Sequence, residues 1–291
     1  MKEVAPGIYI ETNYPPYTLT LIATSSGGIL VDLPPRVSHA RAWLNEVRAV
    51  TERIRYVVLT DASRDRLLAL TACDLPVVGT ETMLRLTMAW DERPWREFLQ
   101  DMVLRYPEEA GEITQLRSRR PTLAFSGALT LCDGSHIVRL EAVCGAAPGS
   151  MMVEVPAASL LIAGDTVAVD EPPPLDSTPD SKAWLETLAA LSRRSSIHWV
   201  IPGRGSAPVL RGAIEQEREL LRIMRRTARS LAKGTLGHTA QTAQDVGQAF
   251  FNATGQKAVK QIKAGLEHLV EEVNRDKQTD LSPVHEHGDE S

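Results

Sequence analysis

The side chains best placed to do chemistry gather where one apolar run meets a polar loop. Tyr56-Val57-Val58-Leu59 is a β-rich apolar run that reads as a buried strand. It feeds Thr60-Asp61-Ala62-Ser63-Arg64-Asp65-Arg66, so Asp61, Ser63, Asp65 and Arg66 all sit just past a strand's carboxyl end. Open α/β sheets place their sites at such ends. Carboxylates with a hydroxyl can line a site for a hard cation. Ser63 as a nucleophile would need a neighbouring base. The seven histidines, at positions 39, 136, 198, 238, 268, 285 and 287, all lie outside this loop, so a plain loop hydroxyl is the simpler reading. Carboxylates and a guanidinium can instead neutralise one another.

Composition narrows the classes. A chain of 291 residues with 43% hydrophobic and 24% charged residues can bury a substantial core. A formal charge of −5 argues against wholesale binding of nucleic acid or membrane. Cys73, Cys132 and Cys144 are too few and too scattered for a disulfide framework, and no Cys-x-x-Cys pair exists. The start, Met1-Lys2-Glu3-Val4-Ala5-Pro6-Gly7, has no apolar signal region, and no apolar run is long enough to span a bilayer. A cytoplasmic location is the expectation.

The elements that must hold the loop follow in order. Residues 7–33 read as a meander turning at Ser25-Ser26-Gly27-Gly28, and 38–52 as a helix with Ser38 as N-cap. After the loop, 66–72 reads as a short helix, 75–78 as a strand, and 80–106 as a helical insertion broken at Pro94. Strands at 129–133, 136–140, 151–154 and 160–163 form a second meander. Helix 181–192, capped by Asp180 or Ser181, and strand 198–201 complete this part. Beyond it, Leu210, Ile214, Leu221, Met224, Ala228 and Leu231 repeat at helical spacing, as do Val259, Ile262, Leu266, Leu269 and Val273. Residues 208–276 are therefore expected to form a helical hairpin lying on the rest of the chain or on a second copy, and 277–291 a disordered tail.

Two meanders, each followed by helices, suggest two sheets packed face to face with helices outside. The order of landmarks over residues 1–207 resembles the metallo-β-lactamase superfamily. Val4-Ala5-Pro6-Gly7-Ile8-Tyr9 is similar to its opening strand, and Ile29-Leu30-Val31-Asp32 to its next strand end. Thr60 to Arg66 stands where that family has Thr-His-x-His-x-Asp-His. Gly145-Ala146-Ala147-Pro148-Gly149-Ser150 stands for Gly-His-Thr-Pro-Gly-Ser, Ala163-Gly164-Asp165-Thr166 for the Gly-Asp motif of the bridging aspartate, and Pro202-Gly203-Arg204-Gly205 for Pro-Gly-His-Gly. The resemblance implies a four-layer αββα sandwich with a C-terminal helical extension.

The same resemblance implies what is missing. Family members hold one or two divalent metals, often zinc, through five histidines and two aspartates. Here Asp61, Ser63, Arg66, Ala146 and Arg204 occupy the histidine positions. Zinc favours imidazole or thiolate, and a protonated guanidinium has no lone pair to give. Zinc is therefore not expected, and a magnesium or manganese site from Asp61, Asp65 and Asp165 would have to compete with Arg66 and Arg204. The leading expectation is a degenerate site in which Arg66 and Arg204 neutralise Asp65 and Asp165. Such a protein would act by binding a small ligand or protein partner. The alternative is hydrolysis of ester, thioester or lactam bonds by a non-zinc metal or an Asp65/Asp165 acid–base pair.

Other features have plainer readings. Cys144 ends an apolar run and reads as a core thiol, and His198 as a sheet histidine. Arg218, Arg222, Arg225, Arg226 and Arg229 interleave with Glu215, Glu217 and Glu219, which suits a salt-bridged helix face better than a phosphate-binding one. Trp90 and Trp95 either pack or roof the cleft. Association of two copies through the C-terminal helices is a further expectation.

Overall fold

The computed structural model describes residues 1–133, 136–237, 239–251 and 256–281. The first sheet opens with strands β1 (Lys2–Ala5), β2 (Ile8–Glu11), β3 (Leu19–Thr24) and β4 (Gly27–Val31), paired antiparallel in sequence order. Helix α1 (Val37–Arg48) crosses to β5 (Ile54–Val58), and α2 (Arg64–Ala72) to β6 (Val77–Thr80), both strands joining in parallel. Helices α3 (Glu81–Met88), α4 (Glu92–Arg105) and the single turn α5 (Ala110–Ile113) precede β7 (Leu123–Phe125), also parallel. The second sheet runs antiparallel through β8 (Ala128–Asp133), β9 (His136–Ala142), β10 (Met151–Val155) and β11 (Leu160–Ala168). Helix α6 (Ser181–Ser192) then crosses to β12 (Trp199–Arg204), parallel to β11, and β13 (Val209–Leu210) closes the edge. Helices α7 (Gly212–Ala232), α8 (Thr239–Phe251) and α9 (Gln256–Leu281) follow.

The two-residue period of the strands builds the layers. Ile29, Val31 and Val58 face inward with Leu160, Ile162 and Ile201 of the other sheet. Their neighbours Leu30, Val57 and Leu59 face outward onto Trp43 and Val47 of α1 and Leu68 of α2. On the far side, Leu161, Ala163 and Val200 meet Trp184 and Leu188 of α6, Leu221 and Met224 of α7, and Leu266 of α9. The architecture is αββα, with α7, α8 and α9 added to the second helical layer.

Several boundaries differ from the sequence reading. The N-cap of α1 is Arg36, and Ser38 lies one residue inside the helix with its hydroxyl donating to Glu109. The break in the insertion falls at residues 89–91, where Asp91 accepts from Arg93 N–H. Pro94 sits in the first turn of α4, where a missing N–H leaves no helical bond unmade. Among the described residues the region expected as a hairpin holds three helices, because a third apolar stripe, with Ala243 and Val246, lies between the two that the spacing revealed. Helix α9 runs on to Leu281, past the expected start of a tail, and Pro283, His285 and His287 lie outside the described residues, as does His238. Cys144 is exposed: alternation turns Val143 onto the apolar cluster and the thiol away from it. His198 is exposed too, just before β12. Among the described residues no helix is long and apolar enough to cross a membrane.

The stripes of α7 and α9 are consumed within the chain. A buried polar contact fixes them to α6: Glu272 on α9 accepts from Ser181 N at 3.1 Å and Ser181 Oγ at 2.7 Å, and pairs with Arg225 Nη1 of α7 at 3.0 Å. Arg225 also contacts the Ser181 hydroxyl. Of the basic stripe, Arg218 and Arg222 bridge to Glu215 and Glu219, but Arg225 is turned inward. Arg225→Met is expected to cost about 3–5 kcal/mol, since it strands a buried carboxylate. Adding Glu272→Met should recover most of that loss in denaturant unfolding, and an unrecovered loss would show that the helices depend on the pair itself.

Candidate functional site

The site forms where the carboxyl ends of β4, β5 and β12 converge on the irregular stretch of β11. Asp32 follows β4 with φ 61°, a left-handed conformation that aspartate tolerates. Its carboxylate accepts from Thr60 N at 2.8 Å and Thr60 Oγ1 at 2.7 Å, locking the end of β5. Asp61 follows and accepts from Ser63 N at 2.8 Å, which turns the chain into α2. From the other sheet, the register slips between Gly164 and Ala168, lifting Asp165 out of the ladder beside Arg204. The approach is close enough that a Cβ at Gly203 would lie 2.4 Å from Asp165 Oδ1.

Arg66, on the first turn of α2, has no exposed surface. Its Nη1 reaches Asp61 Oδ2 at 2.8 Å and Asp165 Oδ2 at 3.1 Å, and its Nη2 reaches Asp165 Oδ1 at 3.2 Å. Its Nε lies 3.0 Å from Asp32 Oδ1 but is not aimed at it, so that contact is ionic without a hydrogen bond. Arg204 adds bonds from Nε at 3.1 Å and Nη2 at 2.9 Å to Asp165 Oδ2. The ring of buried Tyr17 lies under both guanidinium groups, 4.0 Å from Arg66 and 5.1 Å from Arg204.

The electrostatics follow from this packing. Burial alone would raise the Asp165 carboxyl, but Arg66 and Arg204 outweigh it and hold it far below the usual carboxylate range. Burial raises Asp61 more than Arg66 lowers it, with Asp165 and Asp32 adding to the rise. The Arg66 guanidinium is opposed by burial, yet Asp165, Asp32 and Asp61 together make it harder to deprotonate than a free arginine.

Of the residues marked by sequence, Asp61, Arg66, Asp165 and Arg204 come together. Asp65 does not join them. Adjacent positions on a helix point about 100° apart, so with Arg66 inward, Asp65 faces the rim and pairs with Arg105 of α4. Asp32, which the sequence marks only as a strand end, takes the place expected of Asp65. Ser63 lines the cavity above the cluster, with its Oγ shielded from solvent. Ala146 is buried in the apolar cluster below α6, and its carbonyl accepts from Ser177 Oγ at 3.4 Å. Tyr17 and Arg105 carried no sequence signal, because both arrive from segments remote from the motifs. A cavity of about 420 Å³ opens above, lined by Tyr17, Ser63, Asp65, Arg105, Asp165 and Arg204 among others.

No protein-family model matches the sequence, and no curated protein is similar to it in sequence. Solved structures are similar in shape. A metallo-β-lactamase family protein from Thermus thermophilus superposes with a TM-score of 0.67 at 16% identity, over 94% of this chain and 95% of its own. The DIM-1 metallo-β-lactamase does so with 0.59 at 16%, over 76% and 96%. The sec-alkylsulfatase Pisa1 from a Pseudomonas species gives 0.63 at 17%, over 97% of this chain and 51% of its own. The chain has the metallo-β-lactamase fold.

Asp61, Arg66, Ala146 and Arg204 do not offer the donors that zinc favours, and Arg66 and Arg204 have no lone pair to give. Arg66 fills the space between Asp61 and Asp165 and occupies the carboxylate lone pairs that a cation would need. Among the described residues, no three His, Cys, Asp or Glu side chains are grouped so as to hold a metal ion.

At pH 7, Arg66→Met is expected to cost about 3–5 kcal/mol, because three carboxylates lose a shared counter-charge. Asp165→Asn should cost a comparable amount at pH 7. Its folded pKa lies below the ordinary 3.8, so the carboxylate's contribution is present above 3.8 and fades as pH falls further, and the cost should shrink there. Asp61 has the opposite sign: its folded pKa is raised, so its ionisation costs stability as pH climbs from 3.8, and Asp61→Asn should be less costly at pH 7 than at pH 3. Denaturant unfolding at pH 3 and pH 7 checks all three, and a pH-independent cost for Asp165→Asn would contradict its being held ionised.

Proposed function

We propose that this chain uses the metallo-β-lactamase fold to bind a ligand in the cleft, without metal-dependent hydrolysis. The observation that carries the reading is Arg66, fully buried and shared by Asp32, Asp61 and Asp165. A hydrolase of this fold generates its nucleophile from metal-bound water. Here a fixed organic cation stands at that centre, supplying positive charge but no coordination site. The cleft itself persists, with a volume suited to a small organic molecule.

The alternative is hydrolysis of an ester, thioester or lactam with Asp65 and Asp165 as an acid–base pair, and it draws on both lining one cavity. Against it, Asp165 is held ionised with both oxygens engaged by guanidinium groups, and Asp65 is tied to Arg105. A group acting as acid or base must exchange its proton near the working pH.

Elemental analysis of the purified chain is expected to find no stoichiometric zinc, manganese, magnesium or iron. Ester, thioester, lactam and sulfate-ester substrates should turn over no faster with added divalent metal than with chelator. Stoichiometric metal, or activity that chelator removes, would overturn the binding reading. Metal-free activity lost in both Asp65→Asn and Asp165→Asn would favour the acid–base alternative.

A further inference from the structure

We propose that a cavity beside the first turns of α7 binds the primary ammonium group of a small amine, with buried Glu217 as its counter-charge. The site is separate from the cleft, so the proposal goes beyond the reading above and stands without it.

The counter-charge comes from an unmatched side chain. Glu217 shares the inward face of α7 with Ala213, Ile214 and Leu221, and only 2% of its surface is exposed. That spacing ordinarily carries an apolar residue. One carboxylate oxygen accepts from the Ala168 N–H, while Oε1 is shielded from solvent and has no hydrogen-bond partner. Burial pushes the carboxyl well above the usual carboxylate range; the Ala168 N–H opposes that rise and Asp165 adds to it. Buried Arg66 is matched by three carboxylates and buried Arg225 by Glu272. No cation among the described residues offsets Glu217 in the same way. A buried acceptor left unmatched is costly, and a donor arriving from outside removes that cost.

The cavity supplies the room. Glu217, Asp170 and Glu171 line a space of about 260 Å³ together with Ala168, Val169 and Leu220. The charged side chains of this lining are all acidic, with Glu217 buried and Asp170 and Glu171 exposed. A field of one sign selects a cation, and the spare oxygens select which. A guanidinium group pairs best with both oxygens of one carboxylate. Here Glu217 has one oxygen committed to the Ala168 N–H, and Asp170 has one committed to the Ser206 hydroxyl. Among the described residues, no three acidic side chains are grouped for a metal ion. An ammonium group is a compact charge whose three donors can each meet a single oxygen. Half-buried Val169 and Leu220 offer apolar surface to a short alkyl stem.

The test is an NMR titration of the full chain with n-butylamine at neutral pH, where the amine is an ammonium ion. Butyltrimethylammonium keeps the charge without an N–H, and n-butanol keeps the stem without the charge. Butylamine should bind about tenfold or more tightly than either, the worth of one hydrogen bond to a charged group. In Glu217→Gln the amide must turn its oxygen to the Ala168 N–H, which leaves its NH₂ where an acceptor stood. That variant should weaken butylamine by more than about tenfold. Leu220→Lys keeps the carboxylate but brings an ammonium group of the chain itself to the cavity, one helical turn from Glu217, and should abolish binding. Unfolding midpoints of both variants, recorded alongside, separate lost binding from lost folding. The proposal is overturned by no binding of butylamine, by equal affinity for butylamine and either comparator, or by undiminished binding in either folded variant. None of these results bears on how the cleft is used.

Discussion

A guanidinium group with no contact to solvent must be surrounded by charge that matches it, or the fold around it cannot form. Arg66 meets that condition through Asp32, Asp61 and Asp165. Taking such ions out of water costs several kcal/mol each, and attraction between unit charges ~4 Å apart returns about 4 kcal/mol at an effective dielectric near 20. The balance closes only because several contacts converge on one group. Asp165 stands 99 residues from Arg66 and comes from the opposite sheet, so the cluster ties the two sheets together at the edge where their strands end. A single side chain gathers these loops.

That cluster sets the charge at the floor of the cleft. A metal brings open coordination positions and an acidified water, whereas a buried arginine offers a fixed field and spent hydrogen bonds. The polarity of the cavity comes instead from the charged side chains that line it, Asp65, Arg105, Asp176 and Arg204 among them. The aromatic group of α4 and the link before it, in which the Trp90, Trp95 and Phe98 rings pack against one another, adds apolar surface to the neighbouring wall.

The C-terminal helices repeat the logic on a smaller scale. Their apolar stripes close the outer face of the second sheet, and one buried ion pair, Arg225 with Glu272, fixes their register on α6. Apolar contact supplies the driving force there, and the pair, with Ser181, specifies the seating.

The sequence by itself determined the layers. Period-two alternation in 29–31 and 160–163 and helical spacing in α6, α7 and α9 are local properties that survive into the fold, because burying a face is what those periods accomplish. It also placed Asp61, Arg66, Asp165 and Arg204 in motifs at or near strand ends that the strand order must bring to one edge. Tertiary structure alone decided which carboxylates Arg66 would meet. Asp65 is its neighbour in the chain, but helix geometry sends the two side chains in different directions, and nothing in the residue types at Asp32, Tyr17 and Arg105 says that they meet this cluster. Pairing between remote groups depends on the angles at which elements pack, and no local pattern of residue types encodes those angles.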